Sequence, residues 1–320
     1  MKKGFCAALV LALAAATLPA WGKAVMPQDE FLTYCATGKL AEVSRGVKRK
    51  ADVNLVQPSG LSPLLCAARE QDDPRVIDYL ISKGAQVDKA NQQGLTPLMT
   101  AAMLNPRVKI SQTLLARGAD PRRTDMTGST ATLLAARHSR SEAVLSALLA
   151  AAPDTLEKAS ATGLTPLMAA AQNEHPQIAK LLLARGADAH RLDREGRSAL
   201  SWAAGNKNVE TLKTLLALPG VKIDQRDERG MTPLMYAVRA NNAEAVRLLL
   251  ARGANADTRS RDGFSAAEMG RNKPELAHFF PAPKRSATRY AAPARSTRRP
   301  AAPKRPAPKR PVKKSVKKRR

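Results

Sequence analysis

Histidine and cysteine are the side chains that most often bind metals, and histidine is the usual carrier of protons at neutral pH. The four histidines of this sequence are His138, His175, His190 and His278. They lie in different copies of the repeat described below, so we expect no zinc site. A glycine-rich phosphate loop, a serine elbow and a Cys-x-x-Cys pair are also missing from the sequence. The sequence therefore predicts a protein that is not an enzyme and uses no cofactor.

A second kind of chemistry is electrostatic and belongs to the C-terminus. The last 40 residues, 281–320, contain 16 Lys or Arg, eight Pro and no Asp or Glu, and they carry most of the net charge of +26. Because proline prevents a regular helix and there is no apolar core to bury, we predict a disordered basic tail. Its cations could bind anionic lipid, lipopolysaccharide phosphates or nucleic acid. The cations nearest the end are Lys304, Arg305, Lys309, Arg310, Lys313, Lys314, Lys317, Lys318, Arg319 and Arg320.

The N-terminus, residues 1–24, is typical of a secretory signal peptide. Two lysines precede an apolar run from Phe5 to Leu18, and small residues follow between Ala20 and Ala24. The apolar run of about 14 residues is shorter than the roughly 20 that cross a bilayer, which favours a cleaved signal over an uncleaved anchor. We expect cleavage between Ala20 and Ala24. The short, lysine-headed form looks bacterial and predicts a periplasmic or secreted protein.

The sequence between these two ends is periodic. A glycine recurs every 33 to 35 residues, at Gly60, Gly94, Gly128, Gly163, Gly196, Gly230 and Gly263. Thr-Pro-Leu follows it at 96–98, 165–167 and 232–234, and an apolar run ending in Gly-Ala closes the copies at 114–119, 181–187 and 248–254. A fixed period of this length predicts a solenoid of stacked units, each too small to bury its apolar face alone.

Each copy should form two helices and a turn. Threonine before proline suits a helix start, because the hydroxyl caps the helix and proline needs no hydrogen-bond partner at its first position. Alanine pairs such as Ala101-Ala102 let neighbouring helices approach closely, and leucines line one face of the second helix, where Leu182 should face the core. Gly118 and its equivalents suit the end of that helix. Repeats two and three are predicted to carry one extra residue between their helices.

These motifs resemble the ankyrin repeat family, whose repeat contains Gly-x-Thr-Pro-Leu-His, an alanine pair and Leu-Leu-x-x-Gly-Ala. The resemblance runs from about residue 27 to 280, in seven or eight repeats whose terminal copies are degenerate. It implies an all-α repeat solenoid of helix-turn-helix units joined by hairpin-like turns. The histidine of the family phrase is replaced throughout, and we expect apolar packing to offset its lost polar contacts. The replacing residues are Leu65, Met99, Leu133, Met168, Ser201 and Met235.

The resemblance also implies a binding surface, because partners of this family dock on the concave side made by the turn tips and the first helices. Candidate contact residues follow or precede the alanine pairs: Arg69, Met103, Leu104, Arg137, His138, Gln172, Asn173, Trp202, Tyr236 and Arg239. Trp, Tyr and Arg often dominate binding energies. An alternative for Trp202 and Tyr236 is semi-buried packing.

Cys35 and Cys66 lie in adjacent copies and could form a disulfide in an oxidising compartment. A bridge needs Cα atoms within about 7 Å. Aligned on the family phrase, the two cysteines occupy different positions of their copies, which favours two buried thiols over a bridge.

The function most consistent with the sequence is a non-catalytic protein-interaction scaffold, exported to the periplasm, with the basic tail as an electrostatic tether. The alternative is a protein that binds polyanions or the cell envelope through its tail, with the repeats as a spacer. A secreted effector acting in a host cell is a third reading. The identity of the partner is not specified by these residues, and no small-molecule substrate is expected.

Overall fold

The computed structural model describes residues 25–281. The predicted signal peptide and the predicted tail beyond Pro281 lie outside the described residues. Within the described range the chain is built from helices and short turns, and its only β interactions are two isolated bridges, between Leu192 and Ser198 and between Arg259 and Ser265. The expected all-α repeat architecture is therefore confirmed.

In residues 25–281, fifteen α-helices follow one another, and the first fourteen form seven antiparallel pairs, the repeats one to seven. The first helices of the repeats are α1 (Gln28–Thr37), α3 (Pro63–Glu70), α5 (Pro97–Leu104), α7 (Ala131–His138), α9 (Pro166–Ala170), α11 (Ala199–Ala204) and α13 (Pro233–Arg239). The second helices are α2 (Leu40–Lys48), α4 (Pro74–Ser82), α6 (Val108–Ala116), α8 (Glu142–Ala151), α10 (Pro176–Ala184), α12 (Glu210–Leu216) and α14 (Ala243–Ala251). An eighth, shorter unit contains α15 (Ala266–Arg271) and a 3₁₀ turn, Ala277–Phe279.

The starts of the first helices are fixed by the residues that the sequence pattern singles out. Thr96, Thr165 and Thr232 are N-caps whose hydroxyl oxygens accept a hydrogen bond from the backbone N–H three residues later. Ser62 and Ser265 do the same in repeat two and in the eighth unit. Because the capped N–H groups are buried, each cap satisfies a donor that would otherwise have no partner.

The second helices of repeats two, three, five and seven are each followed by a left-handed glycine, as expected, whereas Ala152 after α8 has a φ of −146°. Gly118 has a φ of +88°, and glycine adopts this conformation without steric cost. In repeat one the same position holds Lys50, with a φ of +59°. The degenerate first repeat therefore keeps the backbone of the family turn without its glycine.

The core is one continuous layer between the two rows of helices. The first helices lie closer to one another than the second helices do, because the side chains between them are small, as in the alanine pair Ala101 and Ala102. Leucines of the second helices fill the remaining space, and Leu182 is fully buried as predicted. The apolar residues that replace the family histidine are also buried, so they add to this core.

One local expectation is wrong. The extra residue of repeats two and three does not lengthen the connection between the helices but lies in the first helix, and repeat four shares it. Helices α3, α5 and α7 each have eight residues, against five to seven in α9, α11 and α13. The added length of these helices places exposed side chains after the alanine pair in repeats two to four.

Candidate functional site

The turn tips form one wall of the candidate binding surface, and backbone hydrogen bonds join them. The N–H of Met126 donates to the carbonyl of Gln93 at 3.1 Å, and that of Glu228 donates to Glu195 at 2.8 Å. Equivalent bonds join the other tips from residue 93 to residue 261. Since each tip is tied to the next, the tips form a fixed rim.

Within each tip, a polar side chain bonds to its own turn. Oδ1 of Asp227 accepts hydrogen bonds from the N–H of Arg229 at 2.9 Å and of Met231 at 2.7 Å. Asp125 and Asp193 make the same pair of bonds in repeats four and six. One oxygen of each of these carboxylates is therefore engaged by the backbone of its own turn.

Tyr236 is held by the second oxygen of Asp227. Its hydroxyl donates to Oδ2 of Asp227, and the residue is only 8% exposed. Burial, together with this hydrogen bond, raises the pKa of Tyr236 to about 12. For Tyr236 the structure therefore favours packing, the alternative to partner contact, because its ring is packed and its hydroxyl is engaged.

Trp202 occupies the same position in repeat six but is half-buried. Its indole Nε1 donates to Oδ2 of Asp193 at 3.1 Å, and the guanidinium of Arg197 lies over its ring, 4.0 Å from the centroid. Arg197 also pairs with Asp193 at 2.8 Å. The Trp202 side chain thus keeps part of its surface at the groove, while its polar atom is already bonded.

Side-chain amides that follow the first helices form hydrogen bonds to the preceding repeat. The sequence pattern does not indicate these bonds. Nδ2 of Asn173 donates to the carbonyls of Ala136 and Ser139, both at 2.9 Å. The same bonds to the preceding repeat are made by Gln71, Asn105, Asn206 and Asn242. The accepting carbonyls belong to the ends of first helices or to the turns after them, where backbone acceptors lack intrahelical partners.

Asn173 was expected on the binding surface, and this expectation is wrong. The residue is 5% exposed, and both of its amide atoms are bonded, since Oδ1 accepts from the N–H of His175. Asn173 therefore stabilises the contact between repeats four and five.

The remaining candidates surround a surface that we call the groove face, defined by the exposed residues of the first helices and the turn tips. Leu104, 52% exposed, lies there with the exposed side chains of Arg137, His138 and Arg239. Arg69, Met103 and Gln172 are half-buried. The structure thus places eight of the ten predicted residues, including Trp202, at least partly on this face.

Two polar groups of the groove face have unusual surroundings. Partial desolvation, and then the charge of Arg137 beside it, lower the pKa of His138. This favours the neutral imidazole. Nε2 of Gln172 is buried and has no hydrogen-bond partner among the described residues.

Cys35 and Cys66 lie on α1 and α3, which pack against each other. Both are buried, and no disulfide joins them. Burial, and secondarily the neighbouring Cys66, raise the pKa of the Cys35 thiol. A thiol kept protonated in this way is a poor nucleophile.

Two kinds of site are absent from the described residues, a metal centre and a membrane-spanning helix. No group of three or more His, Cys, Asp or Glu side chains could hold a metal ion there. No helix between residues 25 and 281 is both long and apolar enough to cross a membrane.

Comparisons with known proteins agree with this geometry. A family model described as ankyrin repeats matches the chain three times, over residues 32–125, 110–193 and 185–262. The crystal structure of the human ASB11 ankyrin repeat domain is similar, with 27% sequence identity and a TM-score of 0.59, covering 70% of this chain and all of that domain. No curated protein matches the chain. Repeats of this family are generally protein-interaction scaffolds without catalytic activity. The chain belongs to the ankyrin repeat family.

Proposed function

We propose that the protein is a non-catalytic scaffold that holds another protein on its groove face. The observation that carries this proposal is the exposure of Leu104, next to Met103, in the last turn of α5. Most of the other residues of α5 are buried, whereas Leu104, 52% exposed, and the half-buried Met103 together present apolar surface that a partner would cover. The exposed Arg137 and Arg239, which lie in later repeats along the groove, supply polar contacts.

The predicted signal peptide and basic tail extend this proposal. The scaffold would be exported to the periplasm or beyond, and the tail would hold it near anionic envelope material. Lys and Arg neutralise phosphates by releasing counterions, so this tether would weaken steeply as salt rises. The alternative, a polyanion-binding protein in which the tail is the active element, predicts that every interaction depends on residues 281–320.

The scaffold function is tested by capturing partners from a cell extract with three forms of the chain: unaltered, lacking residues 281–320, and carrying Leu104→Asp. We expect a protein partner to survive loss of the tail and 0.15 M salt, where exposed charges more than about 8 Å apart are screened. Leu104→Asp should release it, because a carboxylate then replaces the apolar anchor. Gln112→Asp is the matched control, since Gln112 is exposed on the second helix α6.

The same experiment separates the two functions. Anionic vesicles or DNA should bind the unaltered chain at low salt and should not bind the chain without its tail. If every captured protein disappears with the tail, the repeats are a spacer and the scaffold proposal fails.

The proposed export has its own test. We expect the chain, expressed in a bacterium, to be recovered from the periplasmic fraction or the medium, with an N-terminus between residues 21 and 25. Replacing the two lysines and the apolar run by polar residues should keep it in the cytoplasm. N-terminal sequencing of each fraction decides the question, and an intact Met1 on a cytoplasmic protein would contradict export.

A further inference from the structure

We propose that the segment held on the groove face is acidic and extended, and that Arg137 and Arg239 are its two anchors. This inference rests on the proposed scaffold function and names the chemical class of the partner. It follows from the first helices α1 to α13, in which Arg137 and Arg239 are the exposed arginines and make no ion pair with a described residue.

Several other arginines are neutralised within the chain. Arg107 pairs with Asp72 at 2.7 Å, and Arg117 pairs with Asp78 at 2.8 Å. Arg197 is shared between Asp193 and Glu195 and is mostly buried. These side chains are not free to bind a partner, because their donors are directed at carboxylates of the protein itself.

Arg239 is different. It ends α13, it is exposed, and it makes no ion pair with any described residue. Its guanidinium lies 4.8 Å from the centroid of the Tyr236 ring, which is itself fixed by Asp227. A guanidinium resting on an immobile ring loses little freedom when it binds, and its planar edge suits a carboxylate.

Arg137 occupies the corresponding part of α7 and is also exposed without an ion pair in the described structure. Its charge helps to lower the pKa of the neighbouring His138. A carboxylate of a partner would pair with the Arg137 guanidinium in a charge-assisted hydrogen bond. Both anchors therefore favour the same kind of ligand atom.

The positions of the anchors set the geometry of the segment. Three steps along the row of first helices, α7 to α9 to α11 to α13, separate Arg137 from Arg239. With about 8–10 Å between the axes of packed helices, the distance is roughly 25–30 Å. An extended chain covers about 3.3 Å per residue, so its acidic groups should be about eight residues apart. Lys and Arg outnumber Asp and Glu over residues 25–281, which would speed the approach of an acidic partner.

The test uses the full chain and a synthetic probe. The probe is a labelled peptide with a Glu-Glu pair at each end, about eight Gly, Ser or Ala residues between the pairs, and a photo-reactive group at its centre. Fluorescence anisotropy at 0.15 M salt measures binding, and mass spectrometry locates the crosslinks. We expect crosslinks to α9 and α11. Arg137→Glu and Arg239→Glu should each weaken binding about tenfold, since each removes a charge-assisted contact.

Lys109→Glu and Lys180→Glu are the matched controls, because these exposed lysines lie on the second helices α6 and α10. They change the net charge equally and should alter binding less than about twofold. The inference is overturned if all four variants weaken binding alike, if a probe with Gln in place of Glu binds as well, or if crosslinks fall only beyond residue 281. If Leu104→Asp nevertheless releases a captured protein, the scaffold function stands and only the acidic partner is wrong. If the captured protein also stays bound to Leu104→Asp, both proposals fail.

Discussion

Leu182→Ala is expected to lower the free energy of unfolding by roughly 2–5 kcal/mol, as truncations of buried leucines do. Leu182 is fully buried on α10, and α10 packs against α8 and α12 of the neighbouring repeats. The cavity would remove contacts both within repeat five and at its two interfaces. Because each repeat of a solenoid contacts only its neighbours, the damage should be greatest in repeats four to six.

Urea unfolding measures the loss of stability, and hydrogen exchange locates it. Amides of α8, α10 and α12 should lose more protection than those of α2 and α4. Lys180→Ala is the control on the same helix, and as an exposed substitution it should change stability by less than about 0.5 kcal/mol. An unchanged exchange pattern in Leu182→Ala would mean that repeat five does not have the register described above.

Asp227→Ala should cost about 2–4 kcal/mol, because it leaves several buried donors without a partner. The carboxylate accepts from the N–H of Arg229, the N–H of Met231 and the hydroxyl of Tyr236. Tyr236→Phe removes only the last of these and should cost less. We expect the double variant to be more stable than the sum of the two single changes predicts, since the same hydrogen bond is lost in both.

Ser160→Ala supplies the comparison for Asp227→Ala. Ser160 takes the same place in the tip of repeat five, but its hydroxyl bonds to Thr162 alone. It accepts from the N–H of Thr162 at 3.3 Å and lies 3.0 Å from the Thr162 hydroxyl, where either group can donate. Thermal unfolding of the four variants tests the difference. A cost for Ser160→Ala as large as that for Asp227→Ala would show that the bond to Tyr236 is unimportant.

The local features of the fold follow from the sequence of one repeat. Thr96-Pro97 predicts a capped helix start, because capping involves only the next three residues. The buried face of α10 follows from leucines at helical spacing, and Gly118 predicts a left-handed residue at a helix end. These features depend on residues close in sequence, so a repeated pattern is enough to identify them.

The candidate surface could be predicted only in part. Leu104, Arg137 and Arg239 are exposed as expected, since they follow the alanine pair and point away from the packed side of the first helix. The extra residue of repeats two and three was assigned to the wrong segment. Counting the residues between Pro97 and Gly118 gives a length but not the position of the added residue.

Only the tertiary structure decided which polar residues are free to bind. Asn173 follows an alanine pair as the exposed candidates do, yet its amide bonds to carbonyls of Ala136 and Ser139, 37 and 34 residues earlier. Tyr236 could have been an anchor, but Asp227, nine residues earlier, holds its hydroxyl. The sequence determined that the chain is a solenoid of ankyrin repeats, because its helices and turns are local. It did not determine which side chains form hydrogen bonds between neighbouring repeats, because those bonds form only when the repeats are stacked.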